Sequence, residues 1–428
     1  MRRRAFVKHS VAATVTAVLA DFMKAFAEGE ADPAVGKPLG RWEKGHFQVH
    51  FIYTGVAESM FMIYPDGTTL LLDVGDHPAH MRGEKQIPIL PDMSRHAGEW
   101  ISRYVTRVNP NGRKVDYFML SHYHSDHGGS RSYHAGLSEN GKYYKSGLGQ
   151  AIDFLDIGKA IDRAYPTYDD PIVKLDNDDS HMCANLKEVY QEMIRRGSKV
   201  EKFRLEKGSA QLNPLHEKTD GFSIRPLCAN GRIMLPDGTI KDLYKDLIER
   251  NHPKALNENG MSLGMVFNYG KFRFYTAGDF SDRIKKADGT AVQIEDLMAE
   301  ACGTANVVKV NHHGHHSMFP GLVKALKGQV YVACMWDQLH MTADTMERLA
   351  DRNLYPEPRL LCPGVFTKER RKEDAGKAWI KDIPETLYEP KHVVLDVPPG
   401  GEAFKFSFVR AADESMTVES VISQVTRG

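Results

Sequence analysis

Long apolar runs, paired cysteines, net charge and internal repeats are all missing from most or all of this 428-residue chain, and each absence closes a class of function. The five cysteines, Cys183, Cys228, Cys302, Cys334 and Cys362, stand far apart with no Cys-x-x-Cys pair. That argues against a zinc ribbon and against a disulfide framework, and leaves isolated core thiols. Lysine plus arginine and aspartate plus glutamate both number 56, so the chain as a whole offers no net attraction to a polyanion or an acidic membrane. There is no repeat of solenoid period and no low-complexity tract. The length exceeds an average domain but suits one large α/β unit with insertions.

What is present begins with a targeting pattern. Arg2-Arg3-Arg4 precedes the apolar stretch Val11 to Ala20, and Ala25-Phe26-Ala27 offers small residues around a cleavage point. Within it, Arg3-Arg4-Ala5-Phe6-Val7-Lys8 resembles a twin-arginine signal, whose route carries folded, cofactor-loaded proteins. Asp21 and Lys24 break the apolar run well short of the roughly 20 residues of a membrane span, and no later segment approaches that length. The expected organisation is a signal peptide over 1–27, a linker over 28–45, one large domain over 46–410 and a C-terminal tail over 411–428. Export to the periplasm or the extracellular space follows, with no stable membrane insertion after cleavage.

Short β-rich runs then alternate with helical ones. Gln48–Tyr53, Met60–Tyr64 and Thr68–Asp73 read as an antiparallel start, with Pro65-Asp66-Gly67 as a turn. Gly98–Val108 reads as a helix and Val115–Leu120 as a buried strand. Met182–Arg196 has helical spacing, and Phe222–Leu227 reads as a strand. The second half repeats the theme with strands Ser262–Tyr269, Phe272–Thr276 and Val307–Val310 around a helix near Ile294–Ala301. Two β-rich halves, each flanked by helices, predict an α/β chain layered as an α/β/β/α sandwich.

The densest chemistry is Ser121-His122-Tyr123-His124-Ser125-Asp126-His127-Gly128-Gly129, at the C-terminal end of a predicted strand. Residues two apart in an extended segment face one side, so His122 and His124 can grip one ion. The following turn can swing Asp126 and His127 toward a second, and the glycine pair permits the exit. Other strand ends have to complete such a pair of sites. Phe272–Thr276 runs into Gly278-Asp279, whose carboxylate can bridge two ions, and Val307–Val310 runs into Asn311-His312-His313-Gly314-His315-His316.

Leu71-Leu72-Asp73-Val74-Gly75, the HxHxDH run at His122 to His127, the Gly278-Asp279 step and the His312-His313-Gly314 step together resemble the metallo-β-lactamase fold superfamily over most of the chain. Within it the chain is most similar to the branch holding the hydrolase domain of competence-type DNA-uptake proteins and the choline-phosphate esterases of cell-wall polymers. The resemblance implies a metallo-β-lactamase-like αββα sandwich with an extended middle segment, and two divalent metal ions, zinc by default, with manganese or iron also fitting the nitrogen and oxygen donors. It places His122, His124 and Asp279 on the first metal and Asp126, His127, Asp279 and His313 on the second, with His312 touching a substrate oxyanion. Where lactamases carry a further histidine this chain has Asn257-Glu258-Asn259-Gly260-Met261-Ser262-Leu263, so Asn259 or Ser262 is expected to donate a hydrogen bond to the substrate. His340 resembles the histidine that follows the His-His-Gly strand in the competence branch. Asp73 is expected to orient a ligand histidine or the loop backbone.

The expected reaction is hydrolysis of a phosphodiester or phosphoester in a small molecule, an envelope polymer or nucleic acid. A lactone, β-lactam or amide hydrolase of the same fold and a non-catalytic binding module are the alternatives. The stretch from Arg131 to Pro253 exceeds what the core requires and is expected to shape the substrate opening.

Overall fold

The computed structural model describes residues 32–77, 87, 89–245, 256–285 and 289–428, so the expected signal peptide lies outside the described residues. β1 (Phe47–Phe51), β2 (Met60–Ile63) and β3 (Thr69–Leu72) form an antiparallel meander. β4 (Lys114–Met119), β5 (Asp156–Asp162) and β6 (Lys199–Lys202) extend it in parallel. The second sheet repeats this plan. β7 (Phe222–Ala229), β8 (Arg232–Met234), β9 (Ile240–Asp242), β10 (Gly264–Tyr269) and β11 (Phe272–Thr276) pair antiparallel. After a small ribbon of β12 (Arg283–Lys285) and β13 (Ala291–Gln293), the strands β14 (Val307–Lys309), β15 (Val330–Ala333) and β16 (Leu360–Pro363) add in parallel to β11. The chain then returns to the first sheet with β17 (Lys391–Val397), β18 (Ala403–Arg410) and β19 (Val418–Val425), giving the order β19-β18-β17-β1-β2-β3-β4-β5-β6.

The central strands are apolar throughout because both faces are covered. Met60, Met62, Leu70, Leu72, Tyr117 and Met119 enter the core between the sheets, while Phe61, Ile63, Leu71, Phe118 and Leu120 enter a second core under the helices. Phe47 stacks on Phe267 at 5.7 Å and Phe51 meets Phe274 edge-on at 5.9 Å, so aromatic pairs span the gap between sheets. Helices α1 (Ala97–Val108) and α2 (Asn177–Arg195) pack on the outer face of the first sheet. In α1 the buried Trp100, Ile101, Tyr104 and Val105 form one face, as helical spacing requires. Helices α3 (Ile294–Cys302), α4 (Pro320–Leu326) and α5 (Ala343–Ala350) pack with the second sheet. No described helix is long and apolar enough to cross a membrane.

Three boundary expectations change. Residues 411–428 are not a tail: β19 pairs with β18 along its length and closes one edge of the nine-stranded sheet. The described part of the expected linker lies against that strand, with Pro38 bridged to Thr417 and Gly36 N–H donating to Val418 O at 2.8 Å. The extended middle segment supplies β5, α2, β6 and β7 to β9 and so is built into both sheets, and among its described residues Asp176, Asp178 and Asp179 line the cleft described below.

Candidate metal centre

The parallel strands of both sheets point their C-terminal ends at one edge of the molecule, the place where open α/β sheets present ligands. From β4 the chain passes through Ser121, His122 and His124 into one helical turn over Ser125–Gly128. Glu58 N–H donates to Asp126 O and Val74 N–H to His127 O, both at 2.9 Å, tying this turn to two neighbouring loops. The approach is so close that a Cβ on Gly75 would stand 1.7 Å from Asp126 O, which only glycine avoids.

Two imidazoles are aimed from behind. Asp73 Oδ2 lies 2.7 Å from His127 Nδ1, while its two oxygens accept the N–H and Oγ–H of Ser121, each at 2.7 Å. A carboxylate there holds the proton on Nδ1 and leaves Nε2 as a lone-pair donor. His313 is held alike, with Nδ1 2.6 Å from Cys334 O. Its Nε2 lies 2.8 Å from Asp126 Oδ2 and 3.1 Å from Asp279 Oδ2. His127 Nε2 lies 3.2 Å from Asp279 Oδ2 and 3.7 Å from Asp126 Oδ2, and although buried it has no hydrogen-bond partner.

Ligands of a tetrahedral ion with bonds of about 2.1 Å stand about 3.4 Å apart, and the separations here run from 2.8 to 3.7 Å. An orphaned imidazole nitrogen facing two carboxylates therefore fits a divalent cation. Glu58, His127, Asp279 and His313 bring ligand atoms within 4.8 Å of one another and could hold a metal ion. Burial opposes ionisation of Asp126 and Asp279, yet the His127 and His313 imidazoles hold both carboxyls well below the usual range. Burial likewise pulls the His313 imidazole down, but Asp279 and Asp126 push it up to about 10, so the cluster favours positive charge between its carboxylates.

No family model matches the chain, and no curated protein is significantly similar to it.

The remaining expected residues divide. His122 Nε2 lies 3.0 Å from His124 Nδ1, and the His122 ring lies 4.2 Å from that of His127, so the three imidazoles form one flank. Among the described residues neither His122 nor His124 makes an ion pair with Asp279; His124 Nε2 instead lies 3.6 Å from Asp179 Oδ2. Of the adjacent pair, both with left-handed φ near 50°, His313 faces the carboxylates and His312 does not. His312 Nε2 lies 3.3 Å from Asn259 Nδ2 and its Nδ1 3.3 Å from Ser281 Oγ, while burial pushes the imidazole down to about 4. Both ring nitrogens of the expected oxyanion contact thus already face protein groups. Asn259 backs His312 and does not line the cleft. Ser262 is fully buried and its Oγ accepts the Asp279 N–H at 3.2 Å, so it holds Asp279 in place and makes no contact with the cleft, contrary to the expected substrate contact. His340 stacks on His313 at 4.8 Å and 11° and lines the cleft.

Four residues escaped the sequence reading of the site. Trp336 Nε1–H donates to Asp126 Oδ2 at 2.7 Å. Glu58 and Lys309 form an ion pair at 2.7 Å with both side chains at 0% exposure. Asp179 lines the cleft beside His124, and burial, with Asp176, Asp126 and Asp178 nearby, pushes its carboxyl up to about 8. A lone lysine in the apolar run Val307–Val310 was the one available signal; Glu58, Trp336 and Asp179 belong to no spaced motif. The cleft over the centre holds about 370 Å³ and is lined by Asp176, Asp178, Asp179 and Asp337 beyond the ligand set, with no lysine or arginine among its described lining residues.

Proposed function

We propose that this chain is an exported metal-dependent hydrolase of the metallo-β-lactamase fold, acting on a small phosphodiester or phosphoester. The observation that carries the reading is the pair of Nε2 atoms on His127 and His313, each backed at Nδ1 by an acceptor and both converging on Asp126 and Asp279. The order of the motifs along the chain and the two mixed sheets packed face to face support the same family. Divalent cations held there supply Lewis-acid polarisation and an acidified water. Asp279 and Asp126 hold the charge, Asp73 and Cys334 O fix the tautomers, and Ser262 fixes the Asp279 backbone. Trp336 Nε1–H and the stacked His340 orient Asp126 and His313. His122 and His124, 3.0 Å apart, are the donors that would be left for a second cation.

The acidic lining disfavours a polyanion, since phosphates outside the metal centre would meet carboxylates and no cation. A small ester suits the cleft better than nucleic acid. The twin-arginine route rests on Arg3 and Arg4, and replacing both by lysine should leave unprocessed precursor inside the cell. The deciding experiment is metal analysis of the purified protein alongside turnover of bis-p-nitrophenyl phosphate, p-nitrophenyl phosphorylcholine, a lactone and a β-lactam. Phosphoester turnover that tracks bound metal is expected; turnover of the lactam alone would overturn the phosphoesterase reading.

A further inference from the structure

Lys309 closes β14 with its ammonium wholly inside the protein. Its Nζ lies 2.7 Å from Glu58 Oε2, 2.8 Å from Gly278 O and 3.5 Å from Asp279 Oδ1. Glu58 Oε2 in turn lies 3.3 Å from His313 Nδ1, the edge of the ring opposite the centre. Glu58 therefore stands behind His313, although it belongs to the same ligand-rich cluster. A buried ion pair gives no stability that apolar side chains of the same volume would not, because desolvation offsets the attraction. Its geometry here does something apolar residues could not. With Lys309 beside Oδ1 and on the Gly278 carbonyl, Oδ2 is the Asp279 oxygen turned to His127 and His313.

We propose that Lys309 and Glu58 are positioning residues of the metal centre, Lys309 setting which oxygen of Asp279 faces it and Glu58 holding both Lys309 and the back of His313. The inference rests on the metal-dependent reading above. Its test is a titration of the full, chelator-stripped chain with Zn²⁺ and separately with Mn²⁺ against a chelating indicator, with the thermal midpoint measured on the same samples.

Lys309→Met alone leaves Glu58 buried without a counter-charge and is expected to melt earlier. The double variant Lys309→Met/Glu58→Gln leaves no unpaired charge and is expected to melt near the wild type, yet to bind Zn²⁺ about 10- to 100-fold more weakly, the usual effect of losing a group that orients a ligand. A double variant that recovers both stability and wild-type Zn²⁺ affinity would show a purely structural ion pair and overturn the proposal. Should the double variant not fold, the isosteric Glu58→Gln decides: weakened Zn²⁺ binding supports the proposal and unchanged binding overturns it. A wild type that binds neither metal would instead overturn the hydrolase reading on which the inference stands.

Discussion

Replacing Asp73 by asparagine isolates one atom of the proposed centre. Asparagine has the same shape and tolerates the φ of 60° found there. Its amide oxygen can still accept the Ser121 N–H, as Asp73 Oδ1 does at 2.7 Å. That fixes the amide NH₂ on the side of His127 Nδ1, where Asp73 Oδ2 now lies at 2.7 Å. Two donors cannot face each other, so Nδ1 must give up its proton and Nε2 must carry it. Rotating the amide merely moves the clash to the Ser121 N–H. A protonated Nε2 has no lone pair for a cation, so one ligand of the set is lost in its favoured tautomer. The expected fall in metal affinity is about 10- to 100-fold, equal to about 1.4 to 2.7 kcal/mol. The fold should survive, since the loop keeps its backbone bonds from Glu58 and Val74. Competition of the stripped protein with a chelating indicator for Zn²⁺ reads the affinity, and near-ultraviolet circular dichroism reads the fold. Wild-type affinity in a folded Asp73→Asn protein would refute the tautomer argument and, with it, the assignment of His127 Nε2 as the donor.

Asp279→Ala should lose most bound metal and nearly all turnover, because two imidazoles and Lys309 would lose their shared anion; full metal content by elemental analysis would contradict this. His313→Ala should lower metal content, whereas His312→Ala, whose ring nitrogens face Asn259 and Ser281 and not the carboxylates, should keep the metal; the reversed pattern would exchange their roles. Away from the centre, burial pushes the His50 and His392 imidazoles down to about 3 from 6.5. Below pH 6.5 the unfolded chain takes up protons that these two folded imidazoles refuse, so stability falls from pH 6.5 toward pH 3 at about 1.4 kcal/mol per pH unit for each. His50→Phe should lose stability less steeply than the wild type over that range, and parallel melting curves from pH 7 to pH 4 would disprove the assignment.

The strands and the ligand-bearing loops were legible from local pattern. Phe272–Thr276 is an element whose ends agree with the reading, because a short apolar run between Gly270 and Gly278 leaves little freedom. The HxHxDH run was legible because its spacing is itself the geometry: it sits on one strand end and one turn. β19 was not, since Val418–Val425 is half-exposed and mixed in polarity, and pairing with β18 makes it a strand. Ser262 looked like a substrate contact because its segment, Asn257–Leu263, stands where the resemblance places a further histidine; only the approach of β11 showed that its hydroxyl is taken by the Asp279 amide.

By itself the sequence determined the alternation of strands and helices, the histidine turn and the carboxylate after β11, all of which depend on residues within about ten positions of one another. Tertiary structure alone decided which ring nitrogens face the carboxylates, since Asp73 and Cys334 O, 54 and 21 residues from the histidines they back, choose the tautomers. It alone also joined Glu58 to Lys309, because a buried charge must be neutralised by whatever the fold brings beside it, and sequence distance places no limit on that partner.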